Sequence, residues 1–99
     1  MISKEEIFII YFSENFEKND NLPYFSTENK THNKKNIIIT ENPLKDCISW
    51  LEKNNINEPT IYLGLWFDEE DTIQKNWEIS PVMMSRIVKL NGTLCISIY

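Results

Sequence analysis

The chain has 99 residues and a formal charge of -5, with 15 acidic side chains against 10 basic. That length makes one domain with a single core, and that charge repels nucleic-acid phosphates and anionic lipid and favours a basic protein partner. No apolar run approaches the roughly 20 residues that span a bilayer, and Glu5 and Glu6 stand where a secretory signal would carry positive charge, so the expected setting is the reduced cytoplasm.

In chain order, Ser3 and Glu6 match a helical capping box. The run that follows, 7–12, is unbroken, apolar, and rich in β-branched and aromatic side chains. A helix would turn these residues to every side, so the segment reads as a short strand covered on both faces. Residues 17–36 are dense in asparagine and lysine, lack apolar periodicity, and read as one long polar loop. Pro23, Tyr24 and Phe25 are placed to pin its middle, with room for a short strand around Tyr24. "NIIIT", 36–40, reads as a strand.

A helix follows. Asn42 is a good N-cap and Pro43 fits the first helical position. Leu44, Cys47, Ile48 and Leu51 share one face at helical spacing, and Asn54 and Asn55 end the helix. "PTIYLGLWF", 59–67, is the clearest strand, apolar on both alternating sets and therefore expected inside the sheet. After an acidic connection, "WEIS" leads into a second helix with Ser80 as cap and Pro81 in its first position. Met83, Met84, Ile87, Val88 and Leu90 form its expected buried face, with Ser85, Arg86 and Lys89 opposite. Asn91–Gly92 supplies the left-handed stop, and "TLCISIY" is the final strand. The order predicts a single α+β domain over 1–99. A mixed or antiparallel sheet carries two helices packed on one face, and β-α-β crossovers are the neighbouring alternative.

Groups for catalysis are scarce. His32 lies in the most polar segment and reads as a solvated loop histidine. Cys47 and Cys95 have no metal-type spacing and read as buried free thiols. With two glycines the chain cannot build a phosphate cradle. No catalytic residue, metal or cofactor is therefore expected, nor an enzyme. Lys30, Lys34 and Lys35 lack interleaved aromatics, so no nucleic-acid partner is expected. The acidic cluster Asp68, Glu69, Glu70 and Asp71 is bracketed by Trp66 and Trp77. These six residues form the expected partner-binding surface, with the tryptophans as anchors and the carboxylates facing something basic.

The tail from Trp77 to Tyr99, with Ser80–Pro81, Asn91–Gly92 and the closing Ile96 to Tyr99, resembles the C-terminal end of a bacterial domain family of unassigned function. In size, charge and lack of catalytic groups the whole chain is similar to the immunity proteins of bacterial toxin systems, including contact-dependent growth inhibition. That resemblance implies a cytoplasmic protein that binds and blocks one toxin domain, often a basic nuclease. The alternative is a structural or regulatory interaction domain, such as an assembly component or a phage-encoded inhibitor.

Overall fold

The structure, a computed structural model, describes residues 2–11, 22–28, 36–68 and 76–99. Its elements are β1 (Ile2–Ile10), β2 (Tyr24–Ser26), β3 (Ile37–Ile39), α1 (Pro43–Lys53), β4 (Thr60–Phe67), α2 (Pro81–Lys89) and β5 (Thr93–Ile98). The strands form one mixed sheet in the order β3-β2-β1-β4-β5. β1 is antiparallel to both its neighbours, and the two outer pairs are parallel. The fold is α+β, as the element order predicts.

The topology explains why both helices share a face. β3, β4 and β5 run in the same direction, and α1 and α2 are the crossovers between them. Both crossovers step the same way across the sheet. Connections of the same hand therefore deliver both helices to the same side. Ile7, Ile9, Phe25, Ile61, Leu63 and Leu65 meet Leu44, Cys47, Ile48, Leu51 and Ile87 there in one buried cluster. Among the described residues the opposite face receives no helix.

The caps form as the sequence predicts. The Asn42 side chain accepts from the Lys45 N–H at 3.3 Å, and the Ser80 hydroxyl accepts from the Met83 N–H at 3.2 Å. Each satisfies one orphan donor of a first turn. The left-handed stop after α2 is Asn91, at φ 52°, and Gly92 stays outside that region.

Three expectations change. β1 is the strand expected from the apolar run, but it begins at Ile2, and Phe8 and Ile10 on its second face stay exposed where cover on both faces was expected. The polar stretch 17–36 is not one loop throughout: β2 takes the room left for a strand around Tyr24 and pairs with β1 through Ile7 and Phe25. Helix α2 is rotated from its expected setting. Met83, Arg86, Ile87 and Leu90 turn inward or toward α1, while Met84 and Val88 stay exposed. The cause is Arg86. Its Nε donates to Glu52 of α1 at 3.1 Å, and its Nη2 donates to the Ser49 hydroxyl at 3.1 Å and to the other Glu52 oxygen. A bidentate guanidinium–carboxylate pair fixes orientation as well as energy.

The cysteines also separate. Cys47 is buried in the core, and burial pushes its thiol up to about 12. Cys95, expected in the core, is half-buried on the uncovered face. A thiol reagent is therefore expected to label Cys95 alone in the folded protein, and both after denaturation. Labelling of two thiols without denaturant would contradict the packing around α1.

Among the described residues no helix is long and apolar enough to cross a membrane. His32, Lys30, Lys34, Lys35, Phe12, Glu69, Glu70 and Asp71 lie outside the described residues.

Candidate protein-binding surface

Side chains alternate across a strand, so the register fixes what the uncovered face displays. Phe8 stands opposite Tyr62, which stands opposite Cys95 on β5. On the other side Tyr24 continues the row and faces Ile37. One row therefore crosses all five strands as Ile37, Tyr24, Phe8, Tyr62 and Cys95. The Phe8 and Tyr62 rings stack with centroids 4.9 Å apart and planes at 7°, and Phe8 and Tyr24 stack at 5.8 Å and 15°. Rings that overlap this way present their edges outward and leave few free faces.

A second row holds Lys4, Trp66 and Tyr99. Trp66 and Tyr99 stack at 4.6 Å and 13°, and the Lys4 ammonium lies 4.3 Å from the centroid of the indole. β1 and β5 flank β4, so Lys4 and Tyr99 occupy opposite sides of the indole. Tyr99 is 64% exposed.

Between the rows lies a shallow floor of Ser26, Glu6, Gly64 and Ser97. Gly64 is required there. A Cβ at this position would stand 2.8 Å from the Trp66 ring, so the missing side chain is what lets the indole lie down over the strand. Glu6 is only 8% exposed, although it is charged and on the uncovered side. The Lys4 ammonium neutralises it at 3.2 Å. The Tyr24 hydroxyl donates to it as well. Burial first, and then this bond and the Glu6 charge, push the Tyr24 hydroxyl up to about 12. Among the described strand residues, Lys4 and Glu6 are the only charged groups on this face, and they cancel.

These shifts set a pH dependence. Tyr24 and Cys47 keep their protons in the folded chain where the unfolded chain, titrating near 10 and 9, has lost them. Their contribution is fully present below about pH 9 and is lost as pH rises toward 12. Urea unfolding at pH 8 to 12 is expected to show stability falling from about pH 9 upward. The fall should be shallower in Tyr24→Phe, which has no phenol to ionise.

The expected anchors do not form one surface. Trp66 lies in the aromatic rows. Trp77 lies on the helix side, lining a cleft of about 350 Å³ with Glu5, Glu41, Leu44, Glu78 and Met83. Asp68 is exposed just beyond β4, and the rest of its acidic cluster is outside the described residues. The cleft sits at the starts of both helices and is acidic. Burial raises the Glu5 carboxyl above its ordinary value. It contains no cysteine, and among the described residues no three metal-ligating side chains come together.

Sequence reasoning identified Trp66 but not Phe8, Tyr24, Tyr62 or Tyr99 as its companions. The signal was present in the alternation of 60–67 and 93–99, which sets Tyr62, Trp66 and Tyr99 on one side. Comparison of the chain with protein-family models, with curated proteins and with solved structures found no match.

Proposed function

We propose that this chain is a non-enzymatic binding protein that docks a protein partner on the uncovered face of its sheet. The observation that carries the reading is the pair of aromatic rows, internally stacked and with no net charge. Centres of protein interfaces have this composition, with aromatic residues enriched and charged groups depleted. Preformed stacking also lowers the entropy lost on binding, because the rings are already ordered. Nucleic acid is a poorer fit. Bases stack on free ring faces, and here the two central rings are already stacked, Phe8 against Tyr24 and Tyr62, and Trp66 against Tyr99 and Lys4.

The partner we propose is a basic bacterial toxin domain, held so that its active or substrate-binding surface is covered. Support comes from the charge of -5 and from Asp68, exposed just beyond the β4 end that carries Trp66. Such charge steers a basic partner toward a neutral docking face.

The experiment is affinity capture from the native host with the wild-type chain and with Tyr62→Ala, followed by co-expression of the captured protein with and without this chain. A toxic partner that is lost in Tyr62→Ala and neutralised by the wild type is the expected result. A partner held equally by Tyr62→Ala would reject the face, and a harmless partner would reject the toxin reading in favour of another interaction domain.

A further inference from the structure

β5 forms one edge of the sheet among the described residues. Parallel pairing makes alternate residues of β5 turn their backbone N–H and C=O toward β4. Thr93 donates to Pro59 O at 2.9 Å and Tyr99 to Leu65 O at 2.9 Å. The odd-numbered residues therefore bond inward. Leu94, Ile96 and Ile98 turn their N–H and C=O groups out to the edge, where no strand follows among the described residues.

The same three residues place their side chains on the helix side, opposite Ile61, Leu63 and Leu65. Yet Ile96 is 45% and Ile98 58% exposed, because α2 does not reach over them. The flank of α2 nearest this edge is apolar too. Arg86 points toward α1, and Met84 and Val88 stand about 160° around the helix from it. Both are exposed, Val88 at 70%. β5 has no charge, no proline and no bulge, the devices that normally protect an edge.

We propose that this edge pairs with the β5 edge of a second copy of the chain, antiparallel, with Ile96 on the two-fold axis. The strand is complementary to itself in that register. The outward residues fall opposite one another as Ile96 with Ile96 of the second copy, and Leu94 with Ile98. All three outward N–H and C=O groups of each copy are then used. Moving the axis to Cys95 would leave Ile98 opposite Gly92, beyond the end of the strand, and would lose two of those bonds. Residues directly opposite share a face. The aliphatic side chains of both copies thus meet on the helix side, closed over by Met84 and Val88, while Cys95 meets Ser97 on the other.

Charge permits this occupant at this edge. Two copies of charge -5 repel, but β5 is neutral and α2 has no acid between Pro81 and Lys89, so neither element sets a carboxylate against its copy. The dimer joins two sheets into one of ten strands with both helix layers on one side and both aromatic faces on the other. The contact is one strand and one helix flank, at the small end of stable interfaces, below about 1,200 Å² in total. Dissociation in the roughly micromolar range is expected.

Sedimentation of the purified chain from about 1 to 300 µM tests the proposal, together with Ile96→Lys and an oxidation trap, Ser97→Cys. Wild type should pass from monomer to dimer across the series. Ile96→Lys should stay monomeric with an unchanged circular-dichroism spectrum. Under mild oxidation Ser97→Cys should form a disulfide-linked dimer through Cys95 of one copy and the new thiol of the other, since non-hydrogen-bonded antiparallel partners stand within disulfide reach. Ser85→Cys, exposed on α2, should not do so at comparable rate. A wild-type monomer at 300 µM would overturn the proposal, as would a dimer that persists in Ile96→Lys. Cross-linking of wild type through Cys95 alone would overturn the Ile96-centred register. These readouts use no toxin, so they stand or fall apart from the function proposed above.

Discussion

Replacing Leu51 by alanine should destabilise the protein by about 2–5 kcal/mol, whereas Val88→Ala should change stability by less than about 0.5 kcal/mol. Leu51 is fully buried on the inner face of α1, in the cluster that holds Ile7, Ile48, Ile61 and Leu63. Removing its branched end leaves a cavity whose walls belong to a helix and two strands, none free to collapse inward. For a domain of this size the change corresponds to a fall in Tm of roughly 10 °C or more. Val88 is the penultimate residue of a helix that periodicity alone would bury through it, but it faces solvent. Melting curves of the two variants distinguish the observed setting of α2 from the expected one. Equal destabilisation would mean that α2 takes the setting that buries Val88. Ile87→Ala, inward on the same helix, should side with Leu51.

The larger functional effect is expected at Trp66. Trp66→Ala should weaken partner binding by about 2 kcal/mol or more, roughly 30-fold, the size of effect seen at interface anchors. The indole is held between Lys4 and Tyr99 and over Gly64. It therefore supplies contact area without ordering cost. Gly64→Ala is the companion variant. It retains every ring but lifts the indole, because the new Cβ occupies the space within 2.8–2.9 Å of the Trp66 ring carbons. It should weaken binding in the same direction and shift the Trp66 fluorescence. Trp77→Ala, on the other side of the sheet, should leave affinity for a partner on the aromatic face unchanged. If Trp77→Ala proves the more damaging, the acidic cleft with Glu5, Glu41 and Glu78 is the binding site.

Much of the local structure was legible because its causes are local. Asn42–Pro43 and Ser80–Pro81 announce helix starts through the hydrogen bonds that their own side chains and ring can or cannot make. The alternation of Ile61, Leu63 and Leu65 with Tyr62, Gly64 and Trp66 announces a strand in the same way. Strand order was not legible, since nothing near Ile7 says that its neighbours are Leu63 and Phe25. The greatest misreading concerned coverage. Phe8 and Ile10 are as apolar as Ile7 and Ile9, so the run implied burial on both sides. Coverage is decided by the direction of two crossovers, which no window of sequence contains. For the same reason the candidate site was only partly visible. Trp66 stood out by type and by its acidic neighbourhood, while Phe8, Tyr24, Tyr62 and Tyr99 become a surface only when β1, β2, β4 and β5 lie side by side.

The central position of β1 also has a consequence for synthesis in the cell. β1 leaves the ribosome before β4, and with Ile7 paired to Leu63 the two cannot join until the intervening chain is made. At roughly 5–20 residues per second that interval lasts about 3–10 s. Throughout it the apolar run from Ile7 to Ile10 lacks its β4 partners and the helix layer that covers Ile7 and Ile9. Helix α1 can form meanwhile, but it has no completed sheet to rest on. The core therefore closes late, once β4 arrives, through contacts between distant parts of the chain that form on the millisecond-to-second scale. For those seconds Ile7, Phe8, Ile9 and Ile10 are a ready ligand for any chaperone that waits at the ribosomal exit.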